Sequence, residues 1–178
     1  MMRFAILIVA SVCVAACATD TPTKPSFYNN ISVGEPFDAV AAASMINSYR
    51  QNEGLPPLAL DAGLSSIAAE ESRAVAFRQR RTGRVTPSGD LDKRVSDGGY
   101  TTSGMKRNVS AGYYTIAEAF SGWRESRQHR ATLLSDSGSR MGIAAVNVPN
   151  AKYKVYWTMI VANPAQSAAL FSSERRIN

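Results

Sequence analysis

Two runs near the C-terminal end restrict the fold more than any other feature. Residues 141–148 (MGIAAVNV) and 153–162 (YKVYWTMIVA) are rich in β-branched and aromatic residues, and Pro149-Asn150-Ala151-Lys152 separates them. They predict a β-hairpin. In the first run, small or apolar residues occupy both faces. A sheet with one wet face would alternate apolar with polar positions, so this strand needs cover on both sides. The other patterned segments repeat at helical spacing and can supply that cover. Over residues 38–51, Ala42, Met45, Ile46 and Tyr49 follow i, i+3, i+4, i+7, and Gly54 with Pro56-Pro57 ends the helix. Asp61 is placed to cap a second helix running to about Arg81, with Leu64, Ile67, Ala68 and Val75 on its inner face. Glu71 falls on the same stripe, an unusual place for an acid; the simpler account is a stripe that drifts onto Ser72.

Residues 82–90 hold Gly83, Pro87 and Gly89 and read as a loop. Residues 91–97 predict a short helix closed by Gly98-Gly99. Thr115-Ile116-Ala117-Glu118 is a capping box, followed by Ile116, Ala119, Phe120 and Trp123 at helical spacing. A further helical turn is expected around residues 129–134. Helices on both faces of an antiparallel sheet make an α+β protein, a three-layer α-β-α sandwich. The domain is expected over residues 36–178, with its core at about 40–164.

The N-terminus opens MMRFAILIVASVCVAAC. Arg3 supplies a positive start. The apolar run that follows has the length of a secretory h-region and is too short to span a bilayer as a mature helix. Its end, Val14-Ala15-Ala16-Cys17, resembles the lipobox of bacterial lipoproteins. That resemblance implies a signal peptide over residues 1–16, cleavage before Cys17, and acylation of Cys17 as the membrane anchor. Ala18 is not the aspartate that signals inner-membrane retention, so an outer-membrane site facing the periplasm or the surface is the expectation. Residues 17–35 contain Pro22, Pro25 and many small polar residues without periodicity. They read as a lipidated tether.

One histidine and two cysteines exclude a Cys/His zinc finger, a disulfide framework and a multi-histidine metal centre. What remains is chemistry at His129, at carboxylates and hydroxyls, or none. Lysine and arginine number 20 against 14 acids, a formal charge of +6. The bases cluster at Arg78, Arg80, Arg81 and Arg84, then at Lys93, Arg94, Lys106 and Arg107. The plain reading is a solvated face. The functional reading is contact with a polyanion such as anionic lipid or cell-wall polymer. Nucleic acid is not expected, because no stacking aromatics are interleaved with these bases.

Several segments together resemble the bacterial CAP superfamily (SCP/PR-1-like domains). Residues 47–61 (NSYRQNEGLPPLALD) carry its N-x-x-R, Gly-Leu turn and L-x-x-D. Gly112-Tyr113, then Thr115 to Arg130 ending in WRESRQHR, match its aromatic turn, helix and W-x-x-S-x-x-H-R. Leu133-Leu134, Met141-Gly142-Ile143 and Tyr156-Trp157-Thr158 complete the series. The resemblance implies the same α-β-α sandwich, and in many members a cleft of two histidines and two acids able to hold a divalent metal. This chain departs from that pattern. No histidine lies in residues 83–88, Arg107 in Lys106-Arg107-Asn108 stands where an acid is expected, and Glu125 is offset from the second acid. Only His129 matches.

A lone imidazole facing a guanidinium is a poor site for a divalent cation. Ser88, Ser110 and Ser126 lack a nucleophile motif such as G-x-S-x-G. The expected protein is therefore a non-catalytic envelope lipoprotein with no metal or cofactor. It would bind a lipid, glycan or envelope protein through a degenerate cleft of His129, Arg107, Asn108, Glu125, Ser126 and Glu71. The alternative is a metal-assisted or serine-type hydrolase acting on envelope material. A structural role for His129 at a helix junction is the plainer reading of that residue.

Overall fold

The computed structural model describes residues 25–35 and 37–165. The expected signal segment, Cys17 and the residues up to 24 lie outside the described residues. The elements run α1 (Ala39–Asn52), β1 (Ala59–Leu60), α2 (Ala62–Thr82), α3 (Leu91–Asp97), β2 (Tyr100–Ala111), α4 (Ile116–Glu125), α5 (Arg127–Leu133), β3 (Arg140–Asn147) and β4 (Val155–Pro164). One sheet has the order β1-β3-β4-β2, with β1 parallel to β3 and the other pairs antiparallel.

The three layers follow from strict alternation along β4. Val155, Trp157, Met159 and Val161 face a core shared with Ala42 and Ile46 of α1, Ala119 and Trp123 of α4, and Leu133 of α5. Ile160 and Ala162 face Leu64, Ile67 and Ala68 of α2 and Leu91 and Val95 of α3. Tyr156 meets Val75 and Ala76 on the same side. Each fully buried large apolar side chain contributes roughly 1.5–3 kcal/mol, so neither face of the hairpin is dispensable. On β3, Gly142 lies under α2 so closely that a Cβ there would collide with the backbone of Leu64. A glycine is what lets this helix lie against the strand.

The helix caps act as expected. The Asp38 carboxylate accepts from Ala41 N at 2.9 Å, the Asp61 carboxylate from Leu64 N at 2.9 Å, and the Thr115–Glu118 box is closed in both directions. Gly83 ends α2 in the left-handed conformation with φ 73°.

Two strands, β1 and β2, lack the sequence pattern of a strand. β2 is polar along much of its length and breaks register between Thr101 and Lys106, beside Gly104 at φ 75°. β1 has two residues. The described end of the segment expected as a tether, residues 25–35, is packed on the domain. Ser26–Tyr28 form a 3-10 turn, Phe27 and Ile31 pack on the core, and Ile31 exchanges backbone and side-chain bonds with Tyr114 and Asn147.

Candidate functional site

His129 sits in α5, and α5 is fastened to β2 by side chains aimed at backbone. Ser126 caps the helix, accepting from His129 N at 3.5 Å. Asn108 Nδ2 donates to the carbonyl of His129 at 2.9 Å, and Thr132 Oγ1 donates to the carbonyl of Arg107 at 3.3 Å. The imidazole is half-buried, and that burial pushes its pKa below the ordinary histidine value. It makes no side-chain hydrogen bond or ion pair among the described residues. Asn108, whose amide holds the His129 carbonyl, is buried, and its Oδ1 has no hydrogen-bond partner among the described residues.

The remaining candidates divide among other assemblies. The Arg107 guanidinium does not confront His129; Nη1 pairs with Asp92 of α3 at 2.8 Å in a half-exposed contact. The register explains this. Arg107 lies opposite Ile160, whose side chain faces α2 and α3, whereas Asn108 lies opposite Met159, which faces α1, α4 and α5. Adjacent strand residues point to opposite faces. Glu125 is exposed at the end of α4.

Glu71 is not a product of stripe drift. It is fully buried, as is its neighbour Ser72, and its carboxylate is the centre of a clip. It accepts from Ser88 N at 2.7 Å, from Ser88 Oγ and from Arg94 Nη2, and Arg94 Nη2 also reaches Ser88 Oγ at 2.7 Å. Glu70 and Asp90 flank the same guanidinium at 3.9 and 3.6 Å. The clip joins α2, the following loop and α3. An acid on a buried stripe demands a cation, which was the available signal, but nothing local pointed to Arg94 in particular.

Chemically, the Ser88 hydroxyl is held between a carboxylate and a guanidinium, with no imidazole bonded to it. A serine nucleophile needs a base able to take its proton and an orienting group behind that base. Among the described residues, no group of three or more His, Cys, Asp and Glu side chains is arranged to hold a metal ion.

The residues that carried the family resemblance have visible structural work. Asn47 exchanges two 2.9 Å bonds with the backbone of Leu58. Arg50, buried, donates to the carbonyls of Pro56, Leu133 and Ser135 at 3.0, 2.7 and 2.8 Å. Trp123 Nε1 donates to Ser110 Oγ at 2.9 Å, Trp157 Nε1 to the carbonyl of Tyr113 at 2.8 Å, and Ser72 Oγ to Thr158 Oγ1 at 2.9 Å.

A two-sided sandwich with these fastenings defines a class of α-β-α domain, and comparison identifies the class. The family model described as "Cysteine-rich secretory protein family", CAP, matches residues 43–161. The chain belongs to the CAP family. Similar solved structures include a cysteine-rich secretory protein from Staphylococcus aureus at 20% identity and TM-score 0.54, covering 69% of this chain and 37% of that one. An extracellular SCP-domain protein from Bacillus anthracis matches at 22% identity and TM-score 0.55, covering 68% and 39%. An outer surface protein from Borrelia burgdorferi matches at 14% identity and TM-score 0.57, covering 76% and 98%. The matched region is thus under two-fifths of the length of the first two. These likenesses establish the fold. No curated protein matches.

Proposed function

We propose that this CAP domain is a non-catalytic, lipid-anchored recognition module of the cell envelope, binding a lipid, glycan or protein partner beside His129. The observation that carries the reading is a buried Asn108 Oδ1 that has no partner among the described residues, on the side chain that holds the His129 carbonyl, together with an imidazole that no described carboxylate orients. A buried acceptor without a donor is costly, about 1–3 kcal/mol, and a donor from a ligand would relieve it. The three candidate hydroxyls have other duties: Ser88 is held by Glu71 and Arg94, Ser110 accepts from Trp123 Nε1, and Ser126 caps α5. An envelope location is supported by the Val14-Ala15-Ala16-Cys17 sequence and by relatives described as extracellular or outer surface proteins.

Two measurements test this. Radiolabelled fatty acid should enter the wild-type chain and vanish in Cys17→Ser; an unlabelled wild type removes the anchor. The purified protein should neither react with a fluorophosphonate nor retain stoichiometric zinc. Labelling abolished by Ser88→Ala, or zinc lost in His129→Ala, would establish the hydrolase instead.

A further inference from the structure

We propose that the outer face of the C-terminal half of α2 docks on an anionic phospholipid surface, with Phe77 entering the headgroup layer and the surrounding arginines taking phosphates. Phe77 is 63% exposed, high for a large aromatic side chain. At about 100° per residue, Arg73, Arg80 and Arg81 fall within about 60° of Phe77 around the helix. All three are exposed, and the Arg81 guanidinium lies over the Phe77 ring at 5.8 Å from its centroid. Arg78 and Arg84 widen the basic field on either side.

The nearby described carboxylates are engaged chiefly elsewhere, although Asp90 also feels the charge of Arg78. Glu70, Glu71 and Asp90 are turned to Arg94, and Asp92 to Arg107. Arg73, Arg78, Arg80, Arg81 and Arg84 have no carboxylate within ion-pair distance among the described residues. Between helix and loop lies a cavity of about 340 Å³ lined by Ala74, Phe77, Arg78, Arg81, Thr82 and Ser88. It has an apolar wall and two guanidiniums, with the Thr82 hydroxyl tied to the Arg78 carbonyl and to Arg84 N at its edge, a fit for a phosphate headgroup with the first carbons of its glycerol.

The exposed aromatic decides between partners. A soluble polyanion is served by charge alone, whereas a ring standing among cations lowers its free energy by leaving water at a lipid interface. The inference depends neither on the His129 region nor on acylation of Cys17.

The test places the reporter at the face itself, so other membrane attachment of the full chain does not obscure it. Trp123 and Trp157 are fully buried, so a Phe77→Trp indole would be the solvent-sensitive emitter among the described residues. With vesicles containing phosphatidylglycerol, its emission should shift to the blue; with phosphatidylcholine alone it should not. Arg73→Gln, Arg80→Gln and Arg81→Gln together should weaken the lipid titration about a hundredfold, at roughly fivefold for each basic residue. High salt should do the same. No shift with anionic vesicles, a shift that survives loss of the arginines, or an equal shift with a soluble polyanion such as heparin would each overturn the proposal.

Discussion

The two helical layers each contain an arginine drawn inward, and the two are held in different ways. Arg50, beneath α1 and α5, is buried against three backbone carbonyls, with its positive charge met by dipoles. Burial pushes its pKa down, opposed by the nearby Asp136. Arg94, beneath α2 and α3, is held by the fully buried carboxylate of Glu71. Loss of the first arginine leaves neutral acceptors unpaired. Loss of the second leaves a charge in the interior. The layer around Arg94 should therefore be the more brittle of the two.

The largest expected effect is in Arg94→Ala, which strands Glu71 and should cost about 3–5 kcal/mol in urea unfolding. Adding Glu71→Gln should recover part of that loss; a loss below about 1 kcal/mol would mean that the ion pair is incidental. Arg50→Ala comes next, at about 1.5–3 kcal/mol, because carbonyls lose charged donors without any charge being stranded. If it exceeds Arg94→Ala, the contrast between the layers is wrong. Arg107→Ala, at a half-exposed pair with Asp92, should change stability by under about 1 kcal/mol.

The smallest effect concerns His129. Its folded-state pKa is depressed, so between that value and the unfolded value of about 6.5 the unfolded chain binds more protons. The corresponding stability is fully present above the unfolded value and is lost as pH falls. Wild type should lose stability on acidification below about pH 6.5 slightly more steeply than His129→Gln; parallel profiles would show that burial of this ring is not felt.

What could be read in advance follows the range of the interactions. Periodicity within one segment located α1, α2, α4 and the β3–β4 hairpin, and local capping chemistry at Asp61 and Thr115 set two helix starts. The two-sided apolar character of β3 implied the layers. β2 escaped because its exposed stretch and the break at Gly104 hide any alternation. The partners of Glu71 escaped for another reason: Ser88 and Arg94 lie 17 and 23 residues away, and no local pattern encodes such a closure. Sequence order alone sets Arg107 opposite His129, because without a strand there are no faces to count; the parity of β2 turns the guanidinium toward α3. The family resemblance rested largely on residues such as Asn47, Arg50 and Trp123, whose hydrogen bonds hold the frame. They therefore located the fold more securely than a chemistry.

The margins of the sheet have a consequence for life at high local density. Open strand borders invite neighbouring copies to add on and grow into fibres. Here one border is a two-residue strand, and the other is irregular at Gly104 and carries Lys106 and Arg107. Past β1 the first border is β3 itself, where α2 lies close on Gly142 and Ile143 N donates to the Ser65 hydroxyl; neither border is a long, free ladder for a second molecule to extend, so crowding many copies together need not seed amyloid-like assembly.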